Sequence, residues 1–227
     1  MAQAGIHSLV GLAVRRWAPE RAWLMLGIVL GNLLPDADNL AVAVATIAGL
    51  PTTGLHRTFT HSFFLAIVVI AVSYLIAALS GQPRWINLGM GLGIGISMHI
   101  LLDLVLWFNG VALLWPIPSW VNFWSGVTPP VWLDSLNLTA EFLFFALFFI
   151  ALNNLAHRRG TDQDYLGKLR FWTWVQIILF ALFTLLVYTI KHGFMTPYGA
   201  FYLLSLALAI GVTVRMRKTI ETVSKVD

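Results

Sequence analysis

Five long apolar runs dominate the chain: Ser62 to Leu79, Ile86 to Phe108, Leu138 to Ala156, Phe171 to Ile190 and Tyr198 to Val214. At a helical rise of about 1.5 Å per residue, each crosses or nearly crosses a hydrocarbon core of ~30 Å. Three shorter apolar segments precede them, Ile6 to Trp17, Trp23 to Leu34 and Leu40 to Leu50. Each is too short to span alone and reads as a half-length, tilted or re-entrant helix, tolerated at membrane depth when buried against protein. Between Asn109 and Asn137 the pattern breaks. Prolines 116, 118, 129 and 130 and tryptophans 115, 120, 124 and 132 predict an ordered loop along the membrane interface. The pattern therefore predicts an all-α, polytopic integral membrane helix bundle with five long spans and three short N-terminal helices. It forms a single membrane domain, 1–227, whose first half (1–116) carries the polar chemistry and whose second half (117–227) supports it.

Composition agrees with that pattern. The 227 residues are 59% hydrophobic and only 11% charged, with a mean hydropathy of +0.81, far from a soluble domain, where about 25% of residues are charged. There is no cysteine, so thiolate metal sites and disulfides are excluded and any metal takes nitrogen and oxygen ligands. The net charge of +4 is spread over loop positions instead of forming a basic stripe, which speaks for membrane topology and against a nucleic-acid partner. Arg15, Arg16, Arg21, Arg84, Arg158, Arg159, Lys168, Arg170, Arg215, Arg217, Lys218 and Lys225 can all lie on one side, leaving only Arg57 and Lys191 on the other. The basic side is expected to be cytoplasmic, with the C-terminus there.

The polar residues of the first half fall into four islands. His7 stands near the start of the first short segment. Asn32 to Asn39, NLLPDADN, holds Asp36 and Asp38 just after Pro35. A turn with one Asp as a helix N-cap for Leu40 onward explains one of these carboxylates but not both. His56 to Ser62, HRTFTHS, places two imidazoles and Arg57 directly before a span; Thr60 or Ser62 can cap that helix, which leaves His56 and His61 unexplained. The last island is His99 and Asp103, whose i, i+4 spacing puts both on one face of a helix, as metal ligands or as a buried hydrogen-bonded pair. Gly91 and Gly95 continue that stripe and let a neighbouring helix approach closely. On the topology above all four islands lie toward the outer leaflet. Mixed imidazole and carboxylate ligands suit zinc, iron(II) or manganese, and there are enough of them for one or two ions. His157, His192 and Glu141 read as ordinary, Glu141 sitting in the first turn of its helix where its charge suits the dipole.

In order and spacing, His7, Pro35-Asp36-Ala37-Asp38, HRTFTHS and His99-Ile-Leu-Leu-Asp103, followed by Gly110 and Trp115-Pro116, resemble the membrane-bound metal-dependent hydrolases of the YdjM type, a bacterial and archaeal family. The chain is also distantly similar to zinc-dependent phospholipases C. The resemblance covers about the first half, and HRxxTHS is its most specific part. It implies a protein of the cytoplasmic (inner) membrane whose site residues are His7, Asp36, Asp38, His56, His61, His99 and Asp103.

The expected function is metal-dependent hydrolysis of a phosphoester or ester in a lipid or another amphipathic, lipid-linked substrate. Zinc comes first as cofactor, with manganese or iron as alternatives, held by His7, Asp36, His56, His61, His99 and Asp103. Asp38 is expected as general base or as orienter of a ligand histidine, and Arg57 as the cation for a phosphate or developing oxyanion. Two other classes compete: a metal or ion transporter using the same residues, which calls for polar groups through the cytoplasmic halves of the spans, and a scaffold whose histidines and aspartates are merely paired.

Overall fold

The computed structural model describes residues 4–190 and 193–221; the loop positions assigned to Lys191 and His192, and Lys225 of the tail, lie outside these. The chain folds as α1 (Ala4–Ala13), α2 (Leu24–Leu33), a 3-10 turn (Leu34–Asp38), α3 (Asn39–Ile47), α4 (Phe63–Ser80), α5 (Arg84–Leu106), α6 (Val131–Arg159), α7 (Leu166–Thr189), α8 (Met195–Arg215) and α9 (Arg217–Glu221). No strand occurs among the described residues; Val111 and Val121 form a single bridge inside the tryptophan-rich loop.

The second and third short segments do not stay separate. Pro35 lies at the start of the 3-10 turn, where a missing N–H costs little, so α2, the turn and α3 run on as one 24-residue apolar stretch, Leu24–Ile47, of span length. Among the described residues, six stretches thus have the length and hydropathy to cross a membrane. Neither aspartate caps α3: Asp38 occupies the N-cap position without a side-chain cap bond. Ser62 does cap α4, its hydroxyl accepting from the Leu65 amide at 3.3 Å.

Two packing seams set the site. Along the first, α2 lies against α5 through reciprocal glycines. A Cβ on Gly91 would stand 2.3 Å from the Leu24 carbonyl oxygen, and one on Gly95 2.3 Å from that of Ile28 and 2.8 Å from the Gly31 Cα. The glycine stripe therefore brings two backbones into contact, and it ends at His99. Along the second, α1 packs on α6, and a Cβ on Gly5 would meet Phe144 Cβ at 2.7 Å. Behind both, Phe142, Phe145, Phe148 and Phe149 of α6, Phe183 of α7 and Tyr198 and Tyr202 of α8 build the main core with Met25, Ile28, Val29 and Leu33 of α2. α4 buries little of its surface and presents Ile67, Leu75 and Leu79 outward, as expected where lipid replaces water.

Candidate metal centre

Four segments converge at the site: α1, the 3-10 turn, the loop into α4, and the second half of α5. His99 Nδ1 lies 2.8 Å from the Asn32 backbone oxygen. A carbonyl only accepts, so Nδ1 carries the proton and Nε2 turns a lone pair inward. His61 Nδ1 lies 2.9 Å from Thr60 Oγ1 and 3.3 Å from Asp38 Oδ2, and the Thr60 hydroxyl itself donates to Asp38 Oδ2 at 2.6 Å. His61 Nε2 therefore also points inward. The two inward nitrogens stand 3.1 Å apart, where two lone pairs repel unless a proton or a cation lies between them.

Carboxylates close the nest. Asp36 Oδ1 is 3.6 Å from His61 Nε2 and 3.7 Å from His99 Nε2; Asp103 Oδ2 is 3.6 Å and 3.9 Å from the same atoms. All four side chains are buried, and neither oxygen of Asp36 nor Oδ2 of Asp103 has a hydrogen-bond partner among the described residues. Ligand bonds of about 2.0–2.2 Å put the corners of a tetrahedral site about 3.3–3.6 Å apart, which the measured separations bracket. Buried, unpartnered carboxylate oxygens are costly without a cation, so the donor set fits a divalent ion. Burial disfavours a charged His61 imidazole, but the neighbouring carboxylates of Asp36, Asp38 and Asp103 outweigh it, raising its pKa to about 9. A bound cation takes the place of that proton.

The surroundings hold these donors still. Asp38 Oδ1 accepts from His56 Nδ1 at 2.7 Å, and its Oδ2 is engaged by Thr60 and by the Arg57 amide at 3.3 Å. Asp38 thus stands behind His61, and His56 behind Asp38, the arrangement in which an outer carboxylate fixes a ligand imidazole. His56, with 18% of its side chain exposed, is the outermost member. His7 Nε2 bonds Asp103 Oδ1 at 3.1 Å, while its ring stacks on that of His99 with centroids 3.8 Å apart. Three trios of donors result, Asp36/His61/His99, His7/His99/Asp103 and Asp38/His56/His61, linked through shared histidines.

Arg57 is buried, with Nε 3.5 Å from Asp103 Oδ2 and its guanidinium over the Trp107 ring at 5.9 Å. Its backbone takes φ +62°, a left-handed conformation unusual for a residue with a Cβ. It is held there by Asp38 on one side and by the Ala112 amide bonding to its carbonyl at 3.0 Å on the other. Strain of this kind concentrates at functional sites.

All eight residues singled out in the sequence, His7, Asp36, Asp38, His56, Arg57, His61, His99 and Asp103, thus meet in one cluster. Glu141 departs from expectation. α6 begins at Val131, so Glu141 lies well inside the helix, fully buried, and accepts the Gly5 amide at 2.9 Å. Its carboxyl oxygen serves a helix end, but that of α1, not that of its own helix. Asn32 was legible only as the edge of a polar island; it acts through a backbone carbonyl at the end of α2, where α-helical bonding gives way to 3-10 spacing. His157 sits in the last turn of α6, away from the cluster.

Fold and site together define an all-helical integral membrane protein with a buried His/Asp cluster able to hold a metal ion. The chain matches the family described as YdjM inner membrane protein over residues 2–196, and it belongs to that family. No curated protein and no solved structure matches it.

Proposed function

We propose that this protein is a metal-dependent hydrolase of the membrane, with one divalent ion, zinc in the first place, held by Asp36, His61, His99 and Asp103 and keeping a fifth coordination position for a water. The observation that carries this reading is the pair of inward Nε2 atoms 3.1 Å apart between two carboxylates. Charge supports it too: Asp36, Asp38 and Asp103 with Arg57 leave a formal charge of −2, which one divalent ion neutralises. Such an ion supplies Lewis-acid chemistry, lowering the pKa of a water and polarising a phosphoryl or carbonyl oxygen. Asp38 keeps His61 in its ligand tautomer, and His56 steadies Asp38. The Arg57 fork, beside Asp103, favours a phosphoester over a carboxyl ester, and the lipid setting favours a phospholipid or another amphipathic substrate. The basic residues support a site toward the outer leaflet: Arg84 and Arg217 both lie over Trp23, and Arg159 and Arg215 gather near Asp162 and Thr219, at the end remote from the cluster. Passage of an ion through the bundle finds no support in the α2–α5 seam, where backbones touch below the site.

The test is hydrolysis of phosphatidic acid, phosphodiester lipids and carboxyl-ester lipids in mixed micelles by the zinc-loaded protein and by Arg57→Ala. Phosphoester turnover that falls about a hundredfold or more in Arg57→Ala at unchanged metal content is expected, the scale of losing one positioned charge-stabilising group. A metal-replete protein inert toward every ester, or an Arg57→Ala variant as active as the parent, contradicts it.

A further inference from the structure

We propose that the cavity between α1 and α6, at the end of the bundle away from the metal centre, binds the phosphate of an anionic phospholipid headgroup. The cavity measures about 370 Å³. Arg15, Arg16 and Arg158 line it together with Asn154, and Leu12 and Leu155 provide an apolar wall. The acidic residues of the adjoining α6–α7 loop are taken elsewhere, since Asp162 and Asp164 pair with Arg215. Arg15 Nη1 is buried with no hydrogen-bond partner among the described residues. A guanidinium nitrogen withdrawn from water without an acceptor is costly, and a phosphate oxygen supplies the acceptor. Burial and the neighbouring Arg159 and Arg16 charges lower the Arg15 pKa from 12.5 to about 10, a repulsion that an anion relieves while Arg15 stays charged at neutral pH.

The shape of the cavity speaks for a lipid source. Guanidiniums suit a phosphate, whereas leucines beside them suit the glycerol and first methylenes of a chain, and basic pockets between helices at the cytoplasmic side are natural headgroup sites. Trp17, 77% exposed one residue past Arg16, marks the interfacial level at which a headgroup sits. Free inorganic phosphate shares the charge but gains nothing from the leucines. The site is independent of the hydrolase reading, since it lies on other residues at the other end of the bundle.

The experiment is native mass spectrometry of the protein released from nanodiscs of equal parts phosphatidylcholine and phosphatidylglycerol, for the parent and for Arg15→Gln, Arg158→Gln and Arg170→Gln. The parent should retain one phosphatidylglycerol in preference to phosphatidylcholine. Arg15→Gln and Arg158→Gln should each weaken retention about tenfold, the scale of one charge-assisted hydrogen bond, and Arg170→Gln should leave it unchanged. Arg158 is exposed, so its variant reports on the site even if Arg15→Gln folds poorly. Equal retention of both lipids by the parent, or undiminished retention by Arg158→Gln, would overturn the proposal. In a second arm, millimolar inorganic phosphate is added to protein in phosphatidylcholine alone. Stabilisation of the parent but not of Arg158→Gln, without phosphatidylglycerol preference in the first arm, would make free phosphate the ligand and overturn the lipid assignment.

Discussion

The two halves of this bundle are both buried, yet by opposite means. In the second half burial is apolar: Phe142, Phe145, Phe148 and Phe149 are fully buried, and Phe142 meets Phe183 and Tyr198 stacked or edge-on. Some of the polar groups there are settled locally, as when Thr173 and Thr213 donate to carbonyls four residues back. In the first half Ile28, Leu33 and Ile100 are buried too, but so are His7, Asp36, His61, His99 and Asp103, and several of their atoms lack partners among the described residues. Dispersion and the hydrophobic effect hold one half together without help. With the proposed ion in place the other half would be completed by a cation, and its stability should depend on one.

The largest effect should come from removing metal. Chelation should loosen hydrogen-exchange protection in α1, the 3-10 turn and the loop into α4 while leaving α6 to α8 unchanged, with a loss of ~4 kcal/mol relative to free ion a thousandfold above its Kd. Phe145→Ala should do the reverse, costing ~3–5 kcal/mol of stability with metal content retained. Uniform loosening in both cases would erase the contrast between the halves.

Glycine substitutions sharpen it. Gly95→Ala drives a Cβ against the Ile28 carbonyl and the Gly31 Cα, so α2 must move from α5 and carry Asp36 away from His99. A cost of ~1–3 kcal/mol is expected, together with weaker metal binding in a titration. At Gly211 in α8 a methyl group would meet nothing within 4 Å, so Gly211→Ala should instead stabilise by ~0.5–1 kcal/mol and leave metal binding alone.

Glu141 is where the halves join. Glu141→Ala orphans the buried Gly5 amide at the head of the helix that carries His7, for a loss of ~1–3 kcal/mol and a lower metal affinity; Glu141→Gln keeps an acceptor oxygen and should recover most of both. Equal behaviour of the two variants would reduce Glu141 to filler. Metal affinity should also follow pH. His61 must lose a proton of pKa about 9 to become a ligand, so affinity should fall as pH drops below 9 and rise no further above it. The smallest effect is expected from Ser62→Ala, which removes the α4 cap and the bond from the Ser62 hydroxyl to the Phe59 carbonyl, worth ~1 kcal/mol.

The site was legible in the sequence because polar clusters stand out against so apolar a background. HRTFTHS, Asp36 with Asp38, and the His99/Asp103 pair announced themselves by residue type and spacing, and the glycine stripe announced its close approach. The joining of two short segments into Leu24–Ile47 was hidden, because Pro35 reads as a helix stop and only the 3-10 turn shows that the chain tolerates it. Glu141 was hidden for another reason: its partner is a backbone amide 136 residues away, which leaves no mark in residue spacing. The Asn32 carbonyl and the left-handed backbone of Arg57 are equally silent, since every residue has a carbonyl and no side-chain pattern encodes a positive φ.

The most direct test of a metal held between His61 and His99 is the metal content of the protein purified in mild detergent, without chelators or a histidine tag, beside His61→Ala and Asp103→Ala variants. One equivalent of zinc, manganese or iron in the parent and none in either variant is the expected result. A parent that takes up no divalent ion even when these are added back, or a His61→Ala variant with full metal content, would contradict it and leave the cluster as a set of hydrogen-bonded pairs.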